Sequence, residues 1–144
     1  MIFGGRGGGM AKLRYETVEA FDAAIDEYFE SCKGHYLEDA HGEKIKDKNG
    51  FPIKVDERPP TMTGLALHLG FASRRGMLEY KYKKAFLPSY SRARALCEKY
   101  AEERLYDREG NRGAQFALEY AFGWKKEAEE AQKESGRVVI VDDL

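Results

Sequence analysis

Apolar residues recur at every third or fourth position after Thr17, which is the spacing of one buried helix face. The face consists of Phe21, Ile25, Tyr28, Phe29 and Cys32. Thr17 has the kind of side chain that caps a helix N-terminus by accepting a backbone hydrogen bond. The pattern therefore predicts a first helix from just after Thr17 to about Cys32, packed along one side against a core.

A second helical pattern lies at residues 61–82, where a turn separates two short apolar stretches. Gly70 ends the first stretch in the position of a left-handed turn residue, and Ser73 can cap the second. Gly76 lies within the second stretch, where it either permits a close backbone approach or is simply tolerated. This is the pattern of a helix-turn-helix, which binds DNA in some proteins and only packs in others.

Between these helices, residues 34–60 are rich in turn-forming and charged side chains. Asn49 followed by Gly50 is a strong signal for the tight turn of a β-hairpin. The turn would join extended segments around Ile45 and Ile53. The sequence therefore predicts a short β-hairpin insert ahead of the helix-turn-helix.

Beyond residue 84 the pattern is again helical. A long helix is predicted from Ser89, its expected cap, to about Asp107, and a shorter helix is expected to end at Gly123. Residues 125–135 are charged and predict a helix with little apolar face. Residues 137–141 read RVVIV, a β-branched run that predicts a strand, and a lone strand needs a partner to be ordered.

These elements predict a mainly α fold: a helix-turn-helix domain with a long central helix, a short β-hairpin insert and a C-terminal β-strand for pairing between subunits. At 144 residues the chain can bury a core without disulfides. We divide it into a disordered, glycine-rich arm at 1–14, a helical domain at 15–124, and a charged helix with a strand and tail at 125–144. Within the helical domain, the helix-turn-helix occupies 61–84 and oligomerisation helices occupy 89–122.

The composition narrows the possible functions. Cys32 and Cys97 are isolated, so we expect both to be buried in a reducing compartment, with no metal site. No apolar run approaches the roughly 20 residues of a membrane helix, which favours a cytoplasmic protein without a membrane partner. Residues 138–143 imitate the carboxylate-bearing strand of an ATPase, but the phosphate-binding loop and its lysine are missing. We expect no catalytic residue and no cofactor.

Charge is distributed unevenly along the chain. The net charge is −1, yet residues 71–99 contain eight basic and two acidic side chains. This basic segment coincides with the helix-turn-helix, as an electrostatic DNA footprint would, although lysines also solvate ordinary exposed helices. The second helix would present its exposed face and the following lysines to DNA, and the residues predicted to bind are Arg74, Arg75, Glu79, Lys81, Lys83 and Lys84.

The long helix is expected to serve in self-association as well as in the core. Its apolar stripe packs only one side, and its tyrosines add the amphipathic surface that is enriched at interfaces. The residues predicted for oligomerisation are Tyr90, Leu96, Tyr100 and Tyr106.

Several stretches in the same order resemble the small terminase subunits, the DNA-packaging proteins of tailed bacteriophages. They read YETVEAFDAAIDEYFESC, KDKNGFPI, PPTMTGLALHLGFASRRGMLEY, RARALCEKYAEERLYD and GAQFALEYAFGWKKE. The resemblance implies a non-catalytic subunit in the host bacterial cytoplasm. Such a subunit binds double-stranded viral DNA at the packaging start, assembles as a ring, and recruits and regulates the large terminase subunit, which carries the ATPase and nuclease.

The resemblance also implies a role for the C-terminal tail, because the family's C-terminal region engages the large subunit. The residues expected near that docking site are Asp142, Asp143 and Leu144. The alternative function is a phage or prophage helix-turn-helix transcriptional regulator. Such a regulator would be a dimer on a palindromic operator, whereas a ring of many subunits would favour the packaging role.

Overall fold

The computed structural model describes residues 14–142, with side chains from 14 to 135. The predicted arm at 1–14 lies outside the described residues except for Arg14. Of the described residues, 14–93 form one compact unit and 94–142 form a second. The described elements are α1 (Val18–Cys32), β1 (His35–Tyr36), β2 (Lys54–Val55), α2 (Met62–His68), a 3-10 helix (Arg74–Met77), α3 (Leu78–Lys81), α4 (Leu87–Arg104), α5 (Asn111–Phe116), a π-helix (Ala117–Ala121) and α6 (Trp124–Asp142).

The predicted fold class, mainly α with a short β-hairpin, is confirmed. The first helix also has its predicted limits. The Thr17 hydroxyl accepts a hydrogen bond from the backbone N–H of Ala20 at 3.1 Å and so caps α1. The predicted apolar face is buried, with Phe29 partly exposed at its edge.

Aromatic rings form the centre of the first unit. Tyr80 stacks on Phe21 with ring centroids 4.6 Å apart, and Phe86 meets both rings edge-on. Ile25 and Leu65 complete the centre and are almost fully buried. This packing joins α1, α2, α3 and the start of α4 around one core.

The insert between α1 and α2 contains the predicted hairpin. The backbone N–H of Ile53 donates to the Ile45 carbonyl at 3.0 Å, and Gly50 has the positive φ of 87° that the turn requires. The two named strands pair antiparallel outside this hairpin, with His35 opposite Val55. The insert therefore has a third extended segment, β1, which the sequence pattern did not indicate.

The long helix α4 begins earlier than predicted, at Leu87, and ends at Arg104. Pro88 fits its first turn, because backbone nitrogens there have no acceptor within the helix. Ser89 lies inside α4 and is buried, so its predicted role as the cap is wrong. Residues of α4 up to Ala93 belong to the first unit, and the remaining turns belong to the second.

The second unit has a small core of its own. Cys97 of α4 is buried, as are three side chains from the α5 region, which are Ala114, Leu118 and Phe122. Gly123 has a φ of 81° and separates the π-helix from α6, as predicted for a helix-ending glycine. The Trp124 indole N–H donates to a Glu98 carboxylate oxygen at 2.5 Å and ties α6 to α4.

The predicted C-terminal strand is wrong. Residues 137–141 continue α6, which is helical through Asp142. A helix satisfies its backbone hydrogen bonds within its own segment, whereas a strand needs a neighbour. Since a β-branched residue costs a helix at most about 0.7 kcal/mol, extending α6 is the less costly conformation for this run.

Within residues 14–142, no helix combines the length and the apolar character needed to cross a bilayer. The same residues bring together no set of three His, Cys, Asp or Glu side chains that could hold a metal ion.

Candidate nucleic-acid interface

The first helix of the predicted motif, α2, is anchored at its N-terminus by Tyr28 of α1. The Tyr28 hydroxyl accepts from the backbone N–H of Thr61 at 2.9 Å and donates to the Thr61 carbonyl at 3.2 Å. The Thr61 side chain in turn caps α2 by accepting from the Gly64 N–H. A Cβ at Gly64 would collide with the Tyr28 hydroxyl, so this position requires glycine.

The turn after α2 has the left-handed glycine that the sequence predicts. Gly70 has a φ of 98°, and the Phe71 N–H donates back to the Ala66 carbonyl at 2.9 Å. The Leu69 carbonyl accepts from Arg14 Nε at 2.9 Å and from the Tyr15 hydroxyl at 3.0 Å. The segment before α1 therefore holds the end of α2 and the turn in place.

Gly76 permits a close approach rather than being simply tolerated. A Cβ at this position would lie 3.0 Å from the Cβ of Phe71 and 3.1 Å from its ring. Phe71 packs partly buried against the core cluster, with its ring edge-on to Tyr80 at 5.8 Å. The glycine thus lets the second helical segment begin directly against the turn.

The second helical segment differs from the single α-helix that the pattern predicts. It begins as a 3-10 helix at Arg74–Met77 and becomes α-helical only at Leu78–Lys81. The Ser73 side chain forms no capping bond, because the Gly76 N–H that it would bind donates to the Ser73 backbone carbonyl at 3.0 Å. Ser73 holds the cap position, but the predicted side-chain cap is wrong.

One side of the 74–81 segment is fixed in the core and the other faces solvent. Met77 and Tyr80 are 0% and 1% exposed. Arg74, Arg75 and Glu79 lie on the exposed side. The structure therefore displays the three predicted side chains on a backbone anchored by the core, which limits the backbone entropy lost on binding a ligand.

The lysines predicted to contact phosphates follow this exposed side. Lys81 ends α3, whereas Lys83 and Lys84 lie in the turn before α4, and all three are exposed. Together with Arg74 and Arg75 they form a group of five cations, here called the 74–84 basic surface. Within residues 14–135 none of the five forms an ion pair.

Arg92, in the same unit, differs from these five cations because it forms ion pairs within the fold. Its guanidinium lies 2.8 Å from an Asp26 carboxylate oxygen and 3.9 Å from one of Asp22, both on α1. Its charge is thus matched within the fold. The contrast indicates that the 74–84 basic surface keeps its charge available for an external anion.

Burial raises the pKa of the Tyr15, Tyr28 and Tyr80 hydroxyls above the ordinary value of 10.0. Above about pH 10 the unfolded chain releases tyrosine protons that the folded chain retains, so the folded state binds more protons. The free energy of unfolding is therefore expected to fall as the pH rises above about 10. Urea titrations followed by circular dichroism at a series of alkaline pH values measure this slope. A Tyr80→Phe variant should show a shallower slope, and an unchanged slope would contradict a contribution from Tyr80.

Comparison with known proteins bears on the kind of ligand that the 74–84 basic surface would bind. Residues 10–130 match the family model described as DNA-packaging protein gp3. The chain belongs to this family. No curated protein and no solved structure matches this chain. The matched range includes the whole 74–84 basic surface and ends before the tail at 137–144.

The four residues predicted for oligomerisation differ in how exposed they are in this gp3-family chain. Tyr90 is 7% exposed and packs in the core of the first unit, so its side chain serves the fold of the single chain. Leu96 and Tyr100 are partly buried in the second unit, and Tyr106 is 87% exposed. Of the four, Tyr106 is the most exposed.

The predicted docking residues for the large subunit lie at the end of the chain. Asp142 is the last residue of α6. Asp143 and Leu144 lie outside the described residues. Their role stays a prediction.

Sequence reasoning missed the support of the basic surface. Arg14 and Tyr15 hold the turn, and the Tyr15 N–H donates to the Tyr80 hydroxyl at 2.7 Å. These bonds join residues more than 50 positions apart, and no local pattern signals them. The sequence shows only that Arg14 and Tyr15 stand shortly before the Thr17 cap, separated from it by Glu16.

Proposed function

We propose that this chain is a small terminase subunit, which binds double-stranded viral DNA at the packaging start in the host bacterial cytoplasm. It assembles as a ring, recruits and regulates the large terminase subunit, and carries no catalytic activity of its own. In this proposal α2, the turn at Gly70 and the 74–81 segment act as a DNA-binding helix-turn-helix. The packaging role of the family supports the choice of DNA as the ligand.

The observation that carries the proposal is the 74–84 basic surface. Five exposed cations without ion pairs among the described residues follow a segment whose other side is locked into an aromatic core. Lysine and arginine side chains bind DNA by neutralising phosphates, and arginines at the start of such a helix also reach base edges. The surface therefore fits a polyanionic duplex.

Two measurements on the full chain test the proposal. Native mass spectrometry should give a closed assembly of many subunits. Fluorescence anisotropy should show tighter binding to duplexes from the phage packaging start than to unrelated duplexes of equal length, with affinity falling steeply as salt rises. Absence of duplex binding at low salt would contradict the proposal.

The same measurements separate the alternative of a transcriptional regulator. A regulator would be a dimer and would prefer a palindromic operator whose half-sites lie one helical turn apart. A dimer with that preference would replace the packaging proposal.

A further inference from the structure

The β insert at residues 34–58 is built around three apolar residues spaced eight positions apart, Leu37, Ile45 and Ile53. Their backbones form a closed ring of hydrogen bonds. The Ile45 N–H donates to the Leu37 carbonyl at 2.9 Å, the Leu37 N–H donates to the Ile53 carbonyl at 2.9 Å, and the Ile53 N–H donates to the Ile45 carbonyl at 3.0 Å. Each extended segment is therefore bonded to the other two.

Three lysines of the insert share one face. Lys44 and Lys46 flank Ile45 at alternating positions, so their side chains leave the extended backbone on the same side. The ammonium groups of Lys44 and Lys54 lie 4.2 and 5.5 Å from the centre of the Tyr36 ring. Both cations therefore contact the same aromatic ring. We call Lys44, Lys46 and Lys54, with Tyr36, the insert lysine face.

Among the described residues, Lys44 and Lys46 form no ion pair with the carboxylates of the insert. Asp39 and Asp47 each accept two backbone N–H bonds of their own loops, at 2.8 and 3.0 Å. Glu38 is paired by backbone with Lys44 but forms no ion pair with it among the described residues. Lys54 has a single distant carboxylate partner, Glu57, at 4.0 Å. Such a long, exposed contact contributes little energy.

The insert is fastened to the C-terminal end of α1, shortly before α2 begins. The Arg58 N–H donates to the Cys32 carbonyl at 3.0 Å, and the Arg58 guanidinium donates to the Ser31 hydroxyl at 2.7 Å. Residues 56–61 then lead directly into α2, whose first residue follows the anchored Thr61. In DNA-binding helix-turn-helix units the first helix crosses the sugar-phosphate backbone. The insert is therefore held next to the N-terminus of the helix that would cross this backbone.

We propose that the insert lysine face is a second DNA-contacting surface, which binds backbone phosphates of the duplex beside the part met by the 74–84 basic surface. This inference rests on the proposed DNA-binding function. Phosphate contacts position a protein on DNA but carry no sequence information. The insert therefore adds affinity for every duplex, while the 74–84 basic surface supplies the preference for packaging-start sequences.

The test replaces Lys44, Lys46 and Lys54 together with alanine in the full chain. Affinity should fall about a hundredfold at physiological salt for packaging-start and unrelated duplexes alike, so the ratio between them stays unchanged. The slope of log affinity against log salt should fall by about 0.9 for each lost contact, or about 2.7 in all. Fluorescence anisotropy over a salt series measures both quantities.

Two control variants isolate the cause. Arginine at the same three positions keeps the charges and should retain the affinity and the salt slope. Alanine at Lys125, Lys126 and Lys133 removes the same total charge from α6 and should change neither. Circular dichroism melting of each variant shows whether the insert still folds.

The outcomes separate this inference from the function on which it rests. If the insert variant binds like the unaltered protein while Arg74→Ala with Arg75→Ala binds weakly, the insert inference is wrong and the DNA-binding function stands. If both variants bind duplex like the unaltered protein, DNA is contacted elsewhere, and the roles of the insert and of the 74–84 basic surface are both wrong. If the unaltered protein binds no duplex, the DNA-binding function itself fails. If native mass spectrometry shows that the insert variant no longer assembles, while its salt slope is unchanged, the insert lysine face serves contacts between copies of the chain. The inference is then overturned.

Discussion

Replacing Arg74 and Arg75 together with alanine is expected to weaken duplex binding by about 1–3 kcal/mol for each arginine that reaches a base edge. If instead either arginine contacts a phosphate, the salt slope should fall by about 0.9 per lost contact. Both side chains are exposed and form no ion pair among the described residues, so their removal should leave stability nearly unchanged. Anisotropy titrations with packaging-start and unrelated duplexes measure the loss and its sequence dependence.

The matched control for this pair is Arg108→Ala with Arg112→Ala. These two arginines are also exposed and remove the same charge, but they lie in the second unit, outside the 74–84 basic surface. The control should bind DNA like the unaltered protein. A folded Arg74 and Arg75 double variant with an unchanged isotherm would show that DNA is contacted elsewhere.

Replacing Tyr80 with alanine is expected to lower the free energy of unfolding of the first unit by about 3–5 kcal/mol. The ring is 1% exposed and contacts Phe21, Phe71 and Phe86, so its loss opens a cavity at the centre of the core. Because domains are stable by only about 5–15 kcal/mol, much of the first unit's stability would be lost. Urea unfolding followed by circular dichroism measures the change.

Tyr80→Phe serves as the matched control because it keeps the ring and removes only the hydroxyl. It leaves the Tyr15 N–H without its 2.7 Å acceptor, which is expected to cost about 1–3 kcal/mol. The phenylalanine variant should therefore unfold between the unaltered protein and the alanine variant. Equal stability of the alanine variant and the unaltered protein would show that Tyr80 is not the centre of this core.

The sequence by itself determined the features that depend on neighbouring residues. Thr17 caps α1, Gly50 turns the hairpin and Gly70 takes the left-handed conformation, because each is specified by backbone geometry over a few positions. The exposure of Arg74 and Arg75 likewise follows from the polar and apolar pattern around them. Such features need no knowledge of which distant residue lies nearby.

Only the tertiary structure decided the features that depend on distant contacts. The 74–81 segment splits into 3-10 and α-helical turns as Phe71 packs on Gly76, and Tyr90 is drawn into the core although its pattern suited an interface. The run at 137–141 has strand propensity, but α6 satisfies its backbone without a partner. Arg14 reaches the turn across 55 positions. Local propensities differ by less than 1 kcal/mol per residue, so packing and backbone hydrogen bonding outweigh them wherever distant segments meet.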